Sequence, residues 1–176
     1  MKTTSYLIKP ASSLCNLKCR YCFYHDVSEN REVKNTGIMN QATMTNLITK
    51  ACDIDQDASI TFAFQGGEPT MAGLDYFKDF VSTVNQHKKP SHRIIYTLQT
   101  NGTLLDQTWF TFLKQNNFLV GISLDGFKEN HDALRIAHND QATFNSVMKT
   151  IEGLKTNQID FNILTVLTAP LAKEPE

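Results

Sequence analysis

Apolar residues along the chain fall into short runs separated by longer amphipathic stretches. Five runs read as strands, at residues 4–9, 58–65, 93–99, 118–125 and 159–167. Between them, residues 40–53 place Met44, Leu47, Ile48, Ala51 and Cys52 on one helical face, and residues 74–87 do the same with Phe77, Phe80, Val81 and Val84. Asp106 can cap a helix carrying Trp109, Phe110 and Leu113, and Asp140 precedes one carrying Phe144, Val147, Met148 and Ile151. Apolar positions at i, i+3, i+4 and i+7 give each helix one side that has to rest on a sheet. Runs such as ITFAF and FLVGISL are almost unbroken, which predicts strands covered on both faces of a parallel sheet. The alternation predicts right-handed βαβ units, five strands with four helices. It suits both a sheet that curls toward a barrel and one that stays flat and doubly wound.

Composition narrows the class. A chain of 176 residues predicts one domain. It falls short of the roughly 250 residues of an eight-unit barrel. With 41% hydrophobic and 20% charged residues, it is neither disordered nor collagen-like. A net charge of −1 gives no bulk electrostatic ground for a nucleic-acid or membrane partner. No apolar run reaches transmembrane length, and MKTTSYLIKP lacks the apolar centre of a secretory signal. The expected compartment is therefore cytoplasmic, where thiols stay reduced and clustered cysteines bind metal.

Residues 10–39 form an unusually long connection with little periodicity, and such connections are usually functional or disordered. Cys15, Cys19 and Cys22 lie there, spaced C-x3-C-x2-C. Three reduced thiols so close together predict a metal site. With His25 as fourth ligand they would make a closed zinc site. Without it, they suit an iron–sulfur cluster with one iron left free for a substrate or cofactor. Cys52 lies on a helix's apolar face and reads as a buried packing thiol.

Three further motifs follow successive strands. They are Gln65-Gly66-Gly67-Glu68-Pro69, Gln99-Thr100-Asn101-Gly102 and Ser123-Leu124-Asp125-Gly126, with Arg135 further on. Each alone reads as a turn, and Arg135 alone as a solvated surface residue. In a parallel sheet all of them arrive at the C-terminal edge, where barrels and open α/β sheets hold ligands.

The C-x3-C-x2-C loop after a first strand resembles the radical S-adenosylmethionine (radical SAM) superfamily. The wording LIKPASS-C-NLKC-YCFY, FQGGEPT-AG, LQTNGT and FLVG-S-DG is similar to the anaerobic sulfatase-maturating enzymes, from about Tyr6 to about Leu167. The resemblance implies an α/β fold, a partial (β/α)6 TIM-like barrel with about five parallel strands present. It implies a [4Fe-4S] cluster on Cys15, Cys19 and Cys22, whose free iron is chelated by S-adenosylmethionine. Cofactor contacts are implied for Tyr21 through its backbone, for Gly66, Gly67, Glu68 and Pro69 at the cofactor's amino group, and for Ser123 at its ribose. Arg135 is implied as a further cofactor contact, with Gln99 and Asn101 near cofactor or substrate. Tyr24 is either near the substrate or a core aromatic.

The implied reaction oxidises a sulfatase active-site Cys or Ser to Cα-formylglycine through a 5′-deoxyadenosyl radical. Its partners would be the sulfatase polypeptide and a flavodoxin- or ferredoxin-like electron donor. Family members are more than twice as long, with a sixth barrel unit, a proton-accepting Asp and a C-terminal domain holding two auxiliary clusters. No Cys follows Cys52 here, and TAPLAKEPE drops the apolar pattern. The expectation is thus residues 1–176 as a radical SAM core domain incomplete at its C-terminus, without the auxiliary-cluster domain, the catalytic base or full turnover. The competing readings are another radical SAM peptide-modifying enzyme, a zinc-binding interaction module on Cys15, Cys19, Cys22 and His25, and a degenerate remnant.

Overall fold

The computed structural model describes residues 1–54 and 57–174, leaving aside the side chains of 25 and 26. His25, the fourth donor of the zinc reading, therefore lies outside the described side chains. Five strands, β1 (Lys2–Ile8), β2 (Ala58–Phe64), β3 (His92–Thr100), β4 (Phe118–Ser123) and β5 (Phe161–Leu164), form one parallel sheet in the order β1-β2-β3-β4-β5. A doubly wound sheet reverses its strand order part-way. Here the order never reverses, so right-handed crossovers all fall on one face, as in the wall of a (β/α) barrel.

The helices are α1 (Phe23–Glu29), α2 (Gln41–Cys52), α3 (Leu74–His87), α4 (Gln107–Gln115), α5 (Lys128–Leu134) and α6 (Phe144–Thr156). Their apolar sides and one face of the sheet make a single core, which includes Met44, Ile48, Phe80, Leu113 and Leu154. An aromatic row crosses four strands at one register level, Tyr6, Phe62, Tyr96 and Phe118. Its neighbouring rings stack at 5.9, 6.2 and 4.9 Å between centroids. Phe80 of α3 meets Phe62 and Phe64 edge-on. Such pairs add to the area term of burial.

Four expectations need correction. The strands are not covered on both faces: Ser5, Leu7, Arg93 and Leu119 are exposed on the face opposite the helices. The unbroken runs reflect how much of that inner face is apolar or small, not a second helical layer. The last strand ends at Leu164 rather than at 167, because Val166 turns its N–H to the Asp125 carboxylate (3.0 Å) instead of continuing the ladder. Among the described residues the α-helices number six, since α1 lies inside the cysteine loop and α5 follows the fourth strand; both are only seven residues long. Finally, Met148 is exposed on α6, and that helix starts at Phe144 rather than beside Asp140. Asp140 has a positive φ and pairs with Lys18. The first amides of α6 are satisfied by Asp132, whose Oδ1 accepts from the N–H groups of Thr143 (3.0 Å) and Phe144 (2.8 Å). The remaining helices follow the pattern, with Asn40 and Asp106 capping α2 and α4 through their side chains.

His131 of α5 is buried in the connection between β4 and β5. Its Nδ1 accepts from the Asp125 N–H (3.3 Å), and Nε2 lies 3.1 Å from Thr143 Oγ1, whose hydroxyl donates to the Arg135 carbonyl (2.7 Å). Those partners assign the neutral tautomer with the proton on Nε2. Burial, then the nearby Arg135 charge, holds its pKa below the ordinary 6.5. A histidine kept neutral by folding binds fewer protons in the folded state than in the unfolded one. Its contribution is full above about pH 6.5 and is lost as pH falls from there toward the folded value.

Two outcomes follow for urea unfolding. Phe62→Ala lowers stability by about 3–5 kcal/mol, whereas Ser5→Ala on the open face changes it by no more than about 0.5 kcal/mol. The unfolding free energy at about pH 5 is smaller than at about pH 7.5, and His131→Asn flattens that difference. An unchanged pH slope in the variant would remove His131 as its source.

Candidate functional site

Because the sheet is parallel, the loops after β1, β2, β3 and β4 gather at one rim. The cysteine loop lies across it. Its base is closed by the Met39 N–H on the Pro10 carbonyl (2.8 Å). Its middle is pinned to the end of α5 and the residues just after it, with Arg20 N–H on Leu134 O (2.9 Å) and Lys18 N–H on Ile136 O (2.7 Å). On the other side, Leu14 O accepts from the Glu68 N–H (2.7 Å). Gly67 is required at that contact. Its φ is +56°, and a Cβ would stand 2.4 Å from the Leu14 oxygen.

Beneath the loop is a cavity of about 330 Å³, within the range of small-molecule sites. Cys15, Cys19, Cys22, Tyr21, Tyr24, Gly66, Gly67, Glu68, Gln99, Asn101, Ser123 and Arg135 all line it. Pro69 does not. It is buried as the first residue of a 3-10 turn, Pro69–Ala72, that Glu68 caps. Of the residues that the resemblance assigns to cluster, cofactor or substrate, the structure thus brings all but Pro69 to one cavity. Cys52 is buried in α2, away from it.

Burial, with Glu68 and the other cysteines adding to it, pushes the Cys15 thiol up to about 12, against a hydrogen bond from the Leu17 N–H. Burial also raises Cys19, which the Arg135 charge partly offsets. Thiols that resist ionising alone become thiolates when a cationic centre binds, with release of protons. A mononuclear zinc site needs its donors converging at about 2.3 Å from one point. Among the described residues no three His, Cys, Asp or Glu side chains converge in this way. A multi-iron cluster takes each thiolate at a different iron, and this needs only that three thiols face one cavity, as they do.

Two buried carboxylates tie the rim together. Glu68 is 1% exposed. Its Oε1 accepts from Thr70 N–H (3.0 Å), Thr70 Oγ1 (2.6 Å) and Thr100 Oγ1 (2.7 Å), and its Oε2 from the Asn101 N–H (2.7 Å). Burial raises its pKa and these donors pull it back. Glu68 therefore joins the loops after β2 and β3 and keeps little capacity for a ligand. Asn101 extends that link to the cysteine loop through Asn16 (2.9 Å).

The second carboxylate, Asp125, was not among the residues singled out. It is fully buried and pairs with Arg135, Nε to Oδ2 at 2.8 Å and Nη2 to Oδ1 at 3.2 Å. It also accepts from the Tyr21 hydroxyl and the Val166 N–H. Burial alone would raise Asp125, but the Arg135 and Tyr21 donors outweigh it and hold the carboxyl below its ordinary range. The signal was present in the quoted SLDG motif, where an Asp follows the Ser at a strand end.

Gln99 lies across Gly121, where a Cβ would stand 2.1 Å from the Gln99 Oε1, and its Nε2 donates to Ser123 Oγ (3.2 Å). Tyr24 lines the cavity half-buried, with the Lys9 ammonium 4.4 Å from its ring centroid. Leu164, Thr165 and Val166 complete the wall.

Known proteins with this arrangement share its sequence. A sequence profile of the Radical SAM superfamily matches residues 10–171. A cysteine-type anaerobic sulfatase-maturating enzyme of Clostridium novyi (strain NT) is 46% identical over 167 residues, covering 95% of this chain and 44% of that relative. A serine-type anaerobic sulfatase-maturating enzyme of Klebsiella aerogenes is 31% identical, covering 94% of this chain and 40% of the relative. The solved structure of native anSMEcpe with bound AdoMet superimposes with a TM-score of 0.91 at 44% identity, covering 97% of this chain and 46% of that one. The chain thus spans less than half the length of these relatives. No helix among the described residues is long and apolar enough to cross a membrane. With its parallel sheet, its cysteine loop over the sheet rim and a profile match along nearly its whole length, this chain belongs to the radical SAM superfamily.

Proposed function

We propose that residues 1–176 are a radical SAM core domain that holds a [4Fe-4S] cluster and S-adenosylmethionine and serves the maturation of sulfatases. The observation that carries this reading is the single cavity shared by three cysteine thiols, the Gly66-Gly67 turn and the Arg135 guanidinium. When bound, the cluster supplies the electron for reductive cleavage of S-adenosylmethionine, and so the radical that removes a hydrogen atom from the substrate.

The chain's own residues do the binding and orienting. Cys15, Cys19 and Cys22 hold the cluster. The Gly66-Gly67 backbone lets the amino-acid end of S-adenosylmethionine approach closely, while Glu68 fixes that turn from behind. Ser123, positioned by Gln99, meets the ribose; Arg135 offers a fixed cation; the backbone at Tyr21 borders the adenine; Asn101 steadies the cysteine loop. Tyr24, which lines the cavity with the Lys9 ammonium over its ring, faces the incoming peptide.

The substrate is a sulfatase polypeptide whose active-site residue becomes Cα-formylglycine, with a flavodoxin- or ferredoxin-like donor supplying electrons. Identities of 44–46% to cysteine-type relatives, against 29–31% to serine-type ones, favour a cysteine target. Relatives that carry the whole reaction are more than twice as long.

Anaerobic reconstitution with iron and sulfide gives a brown protein whose reduced EPR signal changes on adding S-adenosylmethionine. Replacing Cys15, Cys19 and Cys22 together by Ala abolishes the colour and the signal, whereas Cys52→Ala retains both. A colourless protein that takes up one zinc overturns the reading, and loss of the cluster in Cys52→Ala overturns the ligand assignment.

A further inference from the structure

Each oxygen of the buried Asp125 carboxylate is used twice: Oδ2 by Arg135 Nε and the Tyr21 hydroxyl, Oδ1 by Arg135 Nη2 and the Val166 N–H. These donors belong to three segments that line the cavity, namely the cysteine loop, the stretch after α5 and the stretch after β5. Arg135 spends one edge of its guanidinium on Asp125. Its Nη1 has no protein acceptor among the described residues, yet no buried side-chain nitrogen is left unpartnered there. Since Arg135 lines the cavity with its side chain 10% exposed, Nη1 is the edge that remains open to the cavity.

We infer that Asp125 is a positioning residue for the cofactor. It locks one edge of Arg135 so that the other donates to an oxygen of S-adenosylmethionine, and it sets that edge relative to the cysteine loop through Tyr21. A guanidinium held by a bidentate carboxylate keeps one orientation and loses little freedom when a ligand arrives. The Tyr21 ring, 5.4 Å from the guanidinium, closes the remaining face. The Val166 N–H extends the same anchor to the strand-end segment opposite. Asp125 itself reaches the ligand only through Arg135. The inference rests on the cofactor reading above and adds how the cation is aimed.

The test is a double-mutant cycle in the reconstituted 176-residue chain, with S-adenosylmethionine affinity measured by calorimetry and the reduced EPR signal recorded with and without the cofactor. Asp125→Asn and Arg135→Gln each weaken binding about tenfold and leave the cofactor-free EPR signal unchanged. The double variant binds no more weakly than Arg135→Gln alone; because a purely structural ion pair would couple in the same way, the discriminating readout is the cofactor-free EPR signal, which a displaced cysteine loop alters and a re-aimed guanidinium leaves unchanged.

Additive losses near a hundredfold, or wild-type affinity in Asp125→Asn, overturn the inference. Where either variant fails to fold, Tyr21→Phe and Arg135→Lys replace it. Tyr21→Phe removes only the hydroxyl, so its few-fold loss must vanish in the Arg135→Lys background. 5′-Methylthioadenosine, which keeps the ribose and lacks the carboxylate, names the oxygen: coupling retained assigns the ribose, coupling lost the carboxylate. If the wild-type chain binds S-adenosylmethionine and the cycle is additive, only the positioning role fails. If the wild-type chain binds none, the cofactor reading fails with it.

Discussion

Parallel pairing forces every connection to return to the sheet's starting edge, and the unreversed strand order keeps those connections on one face. Everything chemical in this molecule depends on that constraint. It delivers the loops after four successive strands to one rim without any of them having to reach far. It also leaves the opposite sheet face open, so that the inner wall of the cavity is made by strand residues such as Gln99 and Ser123. The stacked aromatic row and the helices on the outer face hold the sheet rigid where the ligand loops attach.

Loops alone would not hold that rim in place, because a loop over a cavity has few apolar contacts. The molecule uses buried carboxylates as joints. Glu68 gathers backbone and hydroxyl donors from two loops, and Asp125 gathers a guanidinium, a phenol and a backbone amide from three. Burying such groups is favourable only when their oxygens are answered by donors, and here each of the four carboxylate oxygens accepts at least one hydrogen bond. Around the cysteines the same low polarity works the other way, since burial raises Cys15 and Cys19 and the Arg135 charge offsets this only in part at Cys19. The loop is thus matched to a positively charged inorganic centre.

Much of this was readable in the chain. The five strands, the four long helices and the grouping of cysteine, glycine and polar motifs at one edge follow from periodicity and from what parallel sheets do with their loops. Strand-end chemistry shows in short words such as QGGEP because few residue types tolerate those backbones. Asp125 was hidden for a different reason. Its partners are Tyr21, Arg135 and Val166, far apart in the chain, and only the closed fold shows that they share one carboxylate. The short helices α1 and α5 escaped because seven residues are too few to show an apolar stripe, and α5 is held by contacts of Asn130 and His131 with Asp125 and Thr143. Asp132 escaped because it caps α6 from another element. The inner face was misjudged because small and apolar residues look alike in a strand whether or not anything covers them.

The long cysteine loop bears on how such a protein can change. Lys2 pairs with Ala58, and Ala58 with His92. The first crossover is therefore longer than the second, but by less than a doubling. Closing it costs less than about 0.6 kcal/mol more, because the entropy of loop closure grows only with the logarithm of length. Lengthening that connection hardly weakens the β1–β2 pairing, which is set by register and packing below the rim. A segment that carries three cysteines and its own short helix can thus be lengthened over the same sheet at little cost in closure entropy, provided that its contacts to Glu68 and Asp125 are kept.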